Sequence, residues 1–187
     1  MPPRTILEDM SHRLKTLDDY LRLDDDIRVE LIEGEFVVTA SPTPKHQVVI
    51  GNLYLLLEPR VHRLGLGKVY LSPLDTVLSK HNVLQPDLLF IAHDHSDRVQ
   101  DRVNGPPDLV IEVLSPRRAA HDRRVKKRLY RRYGVSEYWI VDPKAESVQV
   151  LELRDGRWTE RGVFAKDDAF EPRVLPGVAV RVRDVFA

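Results

Sequence analysis

D-L-V-I-E-V-L-S-P-R-R-A-A-H-D-R-R-V-K-K-R-L-Y-R-R-Y-G-V-S-E-Y-W-I-V-D-P, residues Asp108 to Pro143, decides how the rest of the chain is read. Its first apolar run, Leu109 to Leu114, holds one carboxylate, Glu112, in its middle. A strongly basic segment follows, and a second apolar run occupies Tyr138 to Val141. A hydrophobic period near two gives way to a helical period and then returns, which is a strand–helix–strand pattern. Ser115-Pro116 ends the first strand, and the helix is predicted from about Ala119 to Tyr133. Val125, Leu129 and Tyr133 fall on one of its faces at four-residue spacing, and Gly134 supplies its C-terminal stop. A charge inside a buried strand is costly to desolvate. Glu112 therefore requires a partner: a lysine, an arginine or a bound metal.

Working outward, Ser147 to Leu153 and Arg157 to Phe164 read as a hairpin turning at Asp155-Gly156, and Val178 to Val182 as a last strand with a terminal turn. Upstream, Val83 to Ala92 contains Pro86, Asp87 and the short apolar run Leu88 to Ile91, suited to a central strand. Pro86 has no N–H for a ladder and belongs at the strand entrance. Lys68 to Ser79 reads as one or two strands broken near Pro73, and His93 to Pro107 as a charged loop without a period. Thr43-Pro44 starts a helix whose buried face carries Val49, Ile50, Leu53, Leu56 and Leu57, with Pro59 expected to end or kink it. Arg28 to Thr39 reads as a hairpin around Glu33-Gly34, preceded by a short helix over Thr16 to Leu23 capped by Thr16. The fold class is α/β, a mixed central sheet flanked by helices, with added N-terminal and C-terminal β-hairpins. Residues 1–187 read as one domain, of which 1–15 form a loosely ordered start.

The chain has 187 residues with 29 Lys+Arg against 29 Asp+Glu. The balance hides an asymmetry: Arg117 to Arg132 carries nine Lys/Arg and one acid, a net +8. Arg117, Arg118, Arg123, Arg124 and Lys127 are therefore candidate phosphate contacts, although such a run also serves as a solvated face. There is no cysteine, so disulfides and thiolate metal sites are excluded and a reducing, cytoplasmic compartment is expected. The N-terminus has no apolar h-region and no run approaches a membrane span, so neither secretion nor membrane insertion is expected.

Asp87, at the start of one core strand, and Glu112, within another, would repel each other in a low-dielectric site. A hard divalent cation removes the conflict. Mg²⁺ takes carboxylate and water oxygens, and the backbone carbonyl of Val113 offers another donor. Lys126, on the helix that returns over the sheet, could orient an attacking water or stabilise charge on a phosphate oxygen. It could equally pair with Asp122 one turn earlier. Together these parts suit metal-assisted phosphodiester hydrolysis.

The ordered set Q-P-D (Gln85 to Asp87), P-D-L-V-I-E-V-L-S-P (Pro107 to Pro116), D-x-x-x-K (Asp122 to Lys126), Tyr130, G-V-S-E-Y-W-I-V-D-P (Gly134 to Pro143) and L-P-G (Leu175 to Gly177) resembles the Uma-two family of restriction endonucleases, within the PD-(D/E)XK nuclease superfamily. E-L-I-E-G (Glu30 to Gly34) and His46 match as well. The resemblance implies a restriction-endonuclease-like core that cuts DNA with Mg²⁺, or with Mn²⁺ as a substitute, using Asp87 and Glu112 as metal ligands. The superfamily's usual E-x-K departs here, because Leu114 stands at the lysine position; the resemblance assigns that role to Lys126. It also marks Glu30 as a third acid and His46 as a residue near the metal. Cutting a duplex on both strands favours a homodimer. The alternatives are a catalytically silent module that binds nucleic acid or protein, and RNA as the substrate.

Overall fold

The computed structural model describes residues 13–24, 27–39, 41–115 and 119–187; of residues 119–123 only the backbone is described. Arg117, Arg118 and the side chains of Asp122 and Arg123 thus lie outside the described residues, as does most of the start expected to be loose. Lys15, at the end of that start, donates its N–H to Gly34 O at 2.8 Å.

The chain opens with α1 (Leu17–Tyr20), capped by Thr16 and closed by a reciprocal bond from Asp19. The hairpin β1 (Val29–Ile32) and β2 (Glu35–Val38) turns at Glu33 and Gly34, both at positive φ, which matches the right-handed twist of the strands. α2 (Pro44–Leu64) follows, with Thr43 as N-cap and Gly65 in the left-handed conformation as its stop. Pro59, expected to end or kink it, lies inside the helix and does not end it. The carbonyl that loses its N–H partner there belongs to Leu55, an exposed residue whose backbone water can satisfy.

Next come β3 (Gly67–Leu71), β4 (Thr76–Ser79), β5 (Asn82–Leu84) and β6 (Leu88–Ala92), with Ser72-Pro73 as a cis bond at the expected break. The segment expected to be a featureless loop instead holds a 3-10 helix, His93–Arg98, and β7 (Val103–Asn104). Its organiser is distant in sequence. Asp108 accepts the Ala92 N–H at 2.8 Å, and its other oxygen lies 2.8 Å from His95 Nδ1. The decisive stretch forms β8 (Leu109–Val113), α3 (Ala119–Tyr133) and β9 (Glu137–Asp142). The chain ends with β10 (Ser147–Arg154), β11 (Arg157–Ala165), β12 (Ala169–Phe170), β13 (Val180–Arg181) and α4 (Val182–Val185).

Six strands form the central sheet in the order β11-β10-β9-β8-β6-β3, and β2-β1-β5-β4-β7 form a second sheet. Within the central sheet β8 and β9 are parallel, joined over the top by α3, and the other pairings are antiparallel, so the sheet is mixed. Strand alternation sorts β8. Leu109, Ile111 and Val113 pack with Val49, Ile50, Leu53 and Leu57 of α2 and with the C-terminal segment. Val110 packs on the other face with Leu129 and Tyr130 of α3. Both faces are covered, which is why β6 reads as an unbroken apolar run and β8 as one interrupted only by Glu112. Each fully buried aliphatic side chain contributes about 1.5–3 kcal/mol. Glu112 alternates with the residues facing α2 and so points toward α3.

Candidate active site

The antiparallel ladder of β6 and β8 ends at Leu88 paired with Ile111, and Asp87 lies just before β6, at that end of the ladder. The two carboxylates, separated by 25 positions in sequence, are thereby close enough for the charge of Asp87 to raise the Glu112 carboxyl. Asp87 is fixed by its own backbone surroundings. Its Oδ2 accepts the N–H of Val113 at 2.7 Å. The same oxygen lies 3.3 Å from His46 Nε2, and that nitrogen lies 3.1 Å from the Val113 carbonyl oxygen. His46 occupies the first turn of α2, where Thr43 Oγ1 accepts its N–H, and the helix N-terminus aims the ring at the sheet. Burial opposes charge on the imidazole, but the Asp87 carboxylate and the Val113 carbonyl outweigh it and raise the His46 pKa.

On the α3 side, Lys126 and Tyr130 sit four residues apart and both reach the same atom. Lys126 Nζ donates to Glu112 Oε1 at 3.1 Å, and the Tyr130 hydroxyl donates to Glu112 Oε1 at 2.6 Å. Lys126 Nζ also lies 2.9 Å from Glu30 Oε1. Glu30 comes from β1 in the second sheet, and it accepts the Gln85 N–H at 2.7 Å. Lys126 and Glu30 are buried, 6% and 3% exposed, so the ammonium is a desolvated charge clamped between two carboxylates. The alternative pairing of Lys126 with Asp122 is not needed to explain its burial.

Burial pushes the Glu112 carboxyl up to about 8. Lys126 opposes that rise, the charges of Asp87 and Glu30 add to it, and the Tyr130 hydrogen bond pulls it back. The charges of Asp87 and Glu30 oppose ionisation of Glu112, the condition a divalent cation relieves. The oxygen donors present fit a hard cation: the carboxylates of Asp87 and Glu112 and the Val113 carbonyl, with His46 Nε2 braced against Asp87 and that carbonyl. Among the described residues no group of three or more His, Asp and Glu side chains forms a metal cage by itself. A site here would draw on the backbone carbonyl and on water.

The structure thus brings Asp87, Glu112, Val113, His46, Lys126 and Glu30 together. Arg124 is exposed and Lys127 half-buried on α3. Sequence reasoning gave no role to Tyr130 or Gln85. Gln85 Nε2 donates to Asp75 Oδ1 at 2.9 Å and to the Tyr20 hydroxyl at 3.2 Å, bracing the loop before Asp87. Both stand in the set of residues that carries the family resemblance, and their spacing was a further signal: Tyr130 one helical turn after Lys126, and Gln85 two residues before Asp87.

No curated protein sequence matches the chain. A crystal structure of "a putative nuclease belonging to DUF820" from Anabaena variabilis superposes with a TM-score of 0.75 at 22% identity, covering 91% of this chain and 97% of that one. At that identity the likeness establishes a shared fold. A family profile described as "Putative restriction endonuclease" matches residues 17–183, which contain every residue of the site. On that match the chain belongs to the Uma2 restriction-endonuclease family.

Proposed function

We propose that this protein is a divalent-metal-dependent DNA endonuclease, with Asp87 and Glu112 as the principal ligands of Mg²⁺, or of Mn²⁺ in its place. The supporting observation is the meeting of Asp87 Oδ2, the Val113 carbonyl and His46 Nε2 at the end of the β6–β8 ladder, with Glu112 near enough to feel the charge of Asp87. The chemistry a bound cation supplies is polarisation of the scissile phosphate and acidification of water. The chain's own residues do the rest. Asp87, held by the Val113 N–H, presents a fixed carboxylate. Lys126 carries a buried positive charge that orients the attacking water or stabilises charge developing on a phosphate oxygen. Glu30 keeps the ammonium in place from the second sheet. His46 restrains Asp87 and the Val113 carbonyl.

The basic exposed face of α3, including Arg124, would take the phosphate backbone of the duplex. Two copies, each cutting one strand, are the assembly we expect; sedimentation on a short duplex would show two chains per duplex, and one chain per duplex would exclude it.

The test is conversion of supercoiled plasmid to nicked and linear forms in Mg²⁺ or Mn²⁺. Wild type converts it. Asp87→Ala and Glu112→Ala lose about a hundredfold or more while still binding DNA. Cleavage that persists in both variants would place the chemistry elsewhere, and binding without cleavage under every metal would make the chain a nucleic-acid-binding module.

A further inference from the structure

We propose that Tyr130 is a positioning residue that sets which oxygen of Glu112 is offered to the cation; the inference rests on the metal-dependent reading above. Tyr130 is fully buried, and its ring lies 5.2 Å from that of Tyr138, so the hydroxyl has one fixed direction. That direction ends on Glu112 Oε1 at 2.6 Å. Lys126 donates to the same oxygen at 3.1 Å. Two donors one helical turn apart therefore converge on Oε1, and among the described residues none is seen donating to Oε2, the oxygen then presented to a cation.

This arrangement has a chemical reason. A carboxylate that swings about its last torsion offers either oxygen, and each reorientation costs cation affinity. Lys126 alone cannot prevent it, because its ammonium is shared with Glu30 at 2.9 Å. The rigid phenol is the fixed donor and the lysine the adaptable one. A positioning partner of this kind is worth about ten- to a hundredfold in metal affinity.

Tyr130→Phe removes one oxygen and keeps the ring in its packing, so the variant should fold. A matched control is Tyr133→Phe on the same helix. Its hydroxyl donates to Ser79 Oγ at 3.0 Å and accepts from Asn82 Nδ2 at 3.0 Å, in a separate network. The experiment is calorimetric titration of Mn²⁺ into the metal-free full chain, without substrate, for wild type, Asp87→Ala, Tyr130→Phe and Tyr133→Phe. The expected result is binding in wild type, loss in Asp87→Ala, about ten- to a hundredfold weaker binding in Tyr130→Phe, and wild-type affinity in Tyr133→Phe. Plasmid cleavage should show the same weakening as a raised Mn²⁺ requirement, with partial recovery at saturating Mn²⁺. Wild-type affinity in Tyr130→Phe, whatever its melting temperature, overturns the assignment while leaving the metal site standing. Equal weakening in both tyrosine variants also overturns it, since the effect would then be general loosening of α3. Failure of wild type to bind Mn²⁺ overturns both this inference and the metal-dependent reading.

Discussion

Replacing Lys126 with methionine keeps most of the side chain's bulk and removes its charge. In the native chain Nζ lies 2.9 Å from Glu30 and 3.1 Å from Glu112, with all three groups largely shielded from solvent. Coulomb attraction at such distances is about 5 kcal/mol per pair at an effective dielectric constant of ~20, and desolvation offsets much of it. What remains after the lysine is removed is the penalty of buried acidic groups left without their cation, about 3–5 kcal/mol. For a chain of this size that lowers the melting temperature by roughly 6–20 °C. The deficit has a pH signature, because Glu112, at about 8 with the lysine beside it, is pushed higher without it. Thermal melts of wild type and Lys126→Met should therefore run parallel below about pH 7 and diverge as pH rises past about 8. Lys126→Met/Glu112→Gln should recover most of the loss. A variant whose melting temperature matches wild type at neutral pH, or whose deficit is the same at every pH, would refute the clamped-ammonium picture.

Other outcomes follow from the same geometry. Glu112 is raised to about 8 in the fold, so in the metal-free protein its contribution to stability is fully present below its ordinary value of 4.5 and is lost as pH climbs toward 8. A cation that needs the ionised carboxylate should accordingly stabilise the protein more at about pH 8 than at pH 5.5, read as the Mg²⁺-induced shift in melting temperature; a shift independent of pH would remove Glu112 from the ligand set. Gly67 sits at φ 149° against β6, where an added Cβ would lie 2.1 Å from the Ile91 carbonyl oxygen. Gly67→Ala should cost about 2 kcal/mol or more in denaturant unfolding, and a wild-type midpoint would contradict the tight β3–β6 approach. Arg124→Ala should weaken duplex binding alike across sequences and reduce the salt dependence of binding by about one unit of slope; a sequence-selective loss would mean a base contact instead.

Much of this architecture was legible from the chain because local signals agreed with the tertiary outcome. The strand–helix–strand unit 109–142 had apolar runs of strand length, a four-residue stripe and a glycine stop, and each element formed where its period placed it. The hairpin turns at Glu33-Gly34 and Asp155-Gly156 were equally plain, since their backbone demands positive φ. Pro59 does not end α2; the carbonyl it leaves without a helical partner belongs to Leu55, which faces solvent. The segment 93–104 misled because its order is imposed by Asp108, a carboxylate outside the window a periodicity search covers.

The site divides in the same way. Glu112 announced itself as a charge in a core strand, and Asp87 by its place after Pro86. That they come near one another depends on the β6–β8 register, which two mostly apolar strands do not encode on their own. Glu30 belongs to a different sheet, so nothing in its neighbourhood pointed to Lys126. Tyr130 was marked by the family resemblance but given no role, because a tyrosine on a buried helical face usually signifies packing; the direction of its hydroxyl supplies the role.

The account rests on a cation seated between β6 and β8. The most direct measurement is anomalous difference density from a crystal soaked in Mn²⁺. The predicted result is a peak within coordination distance of Asp87, Glu112 Oε2 and the Val113 carbonyl oxygen, with Glu112 Oε1 still held by Tyr130. Saturating Mn²⁺ with no peak at that position, or with a peak away from both carboxylates, would contradict it.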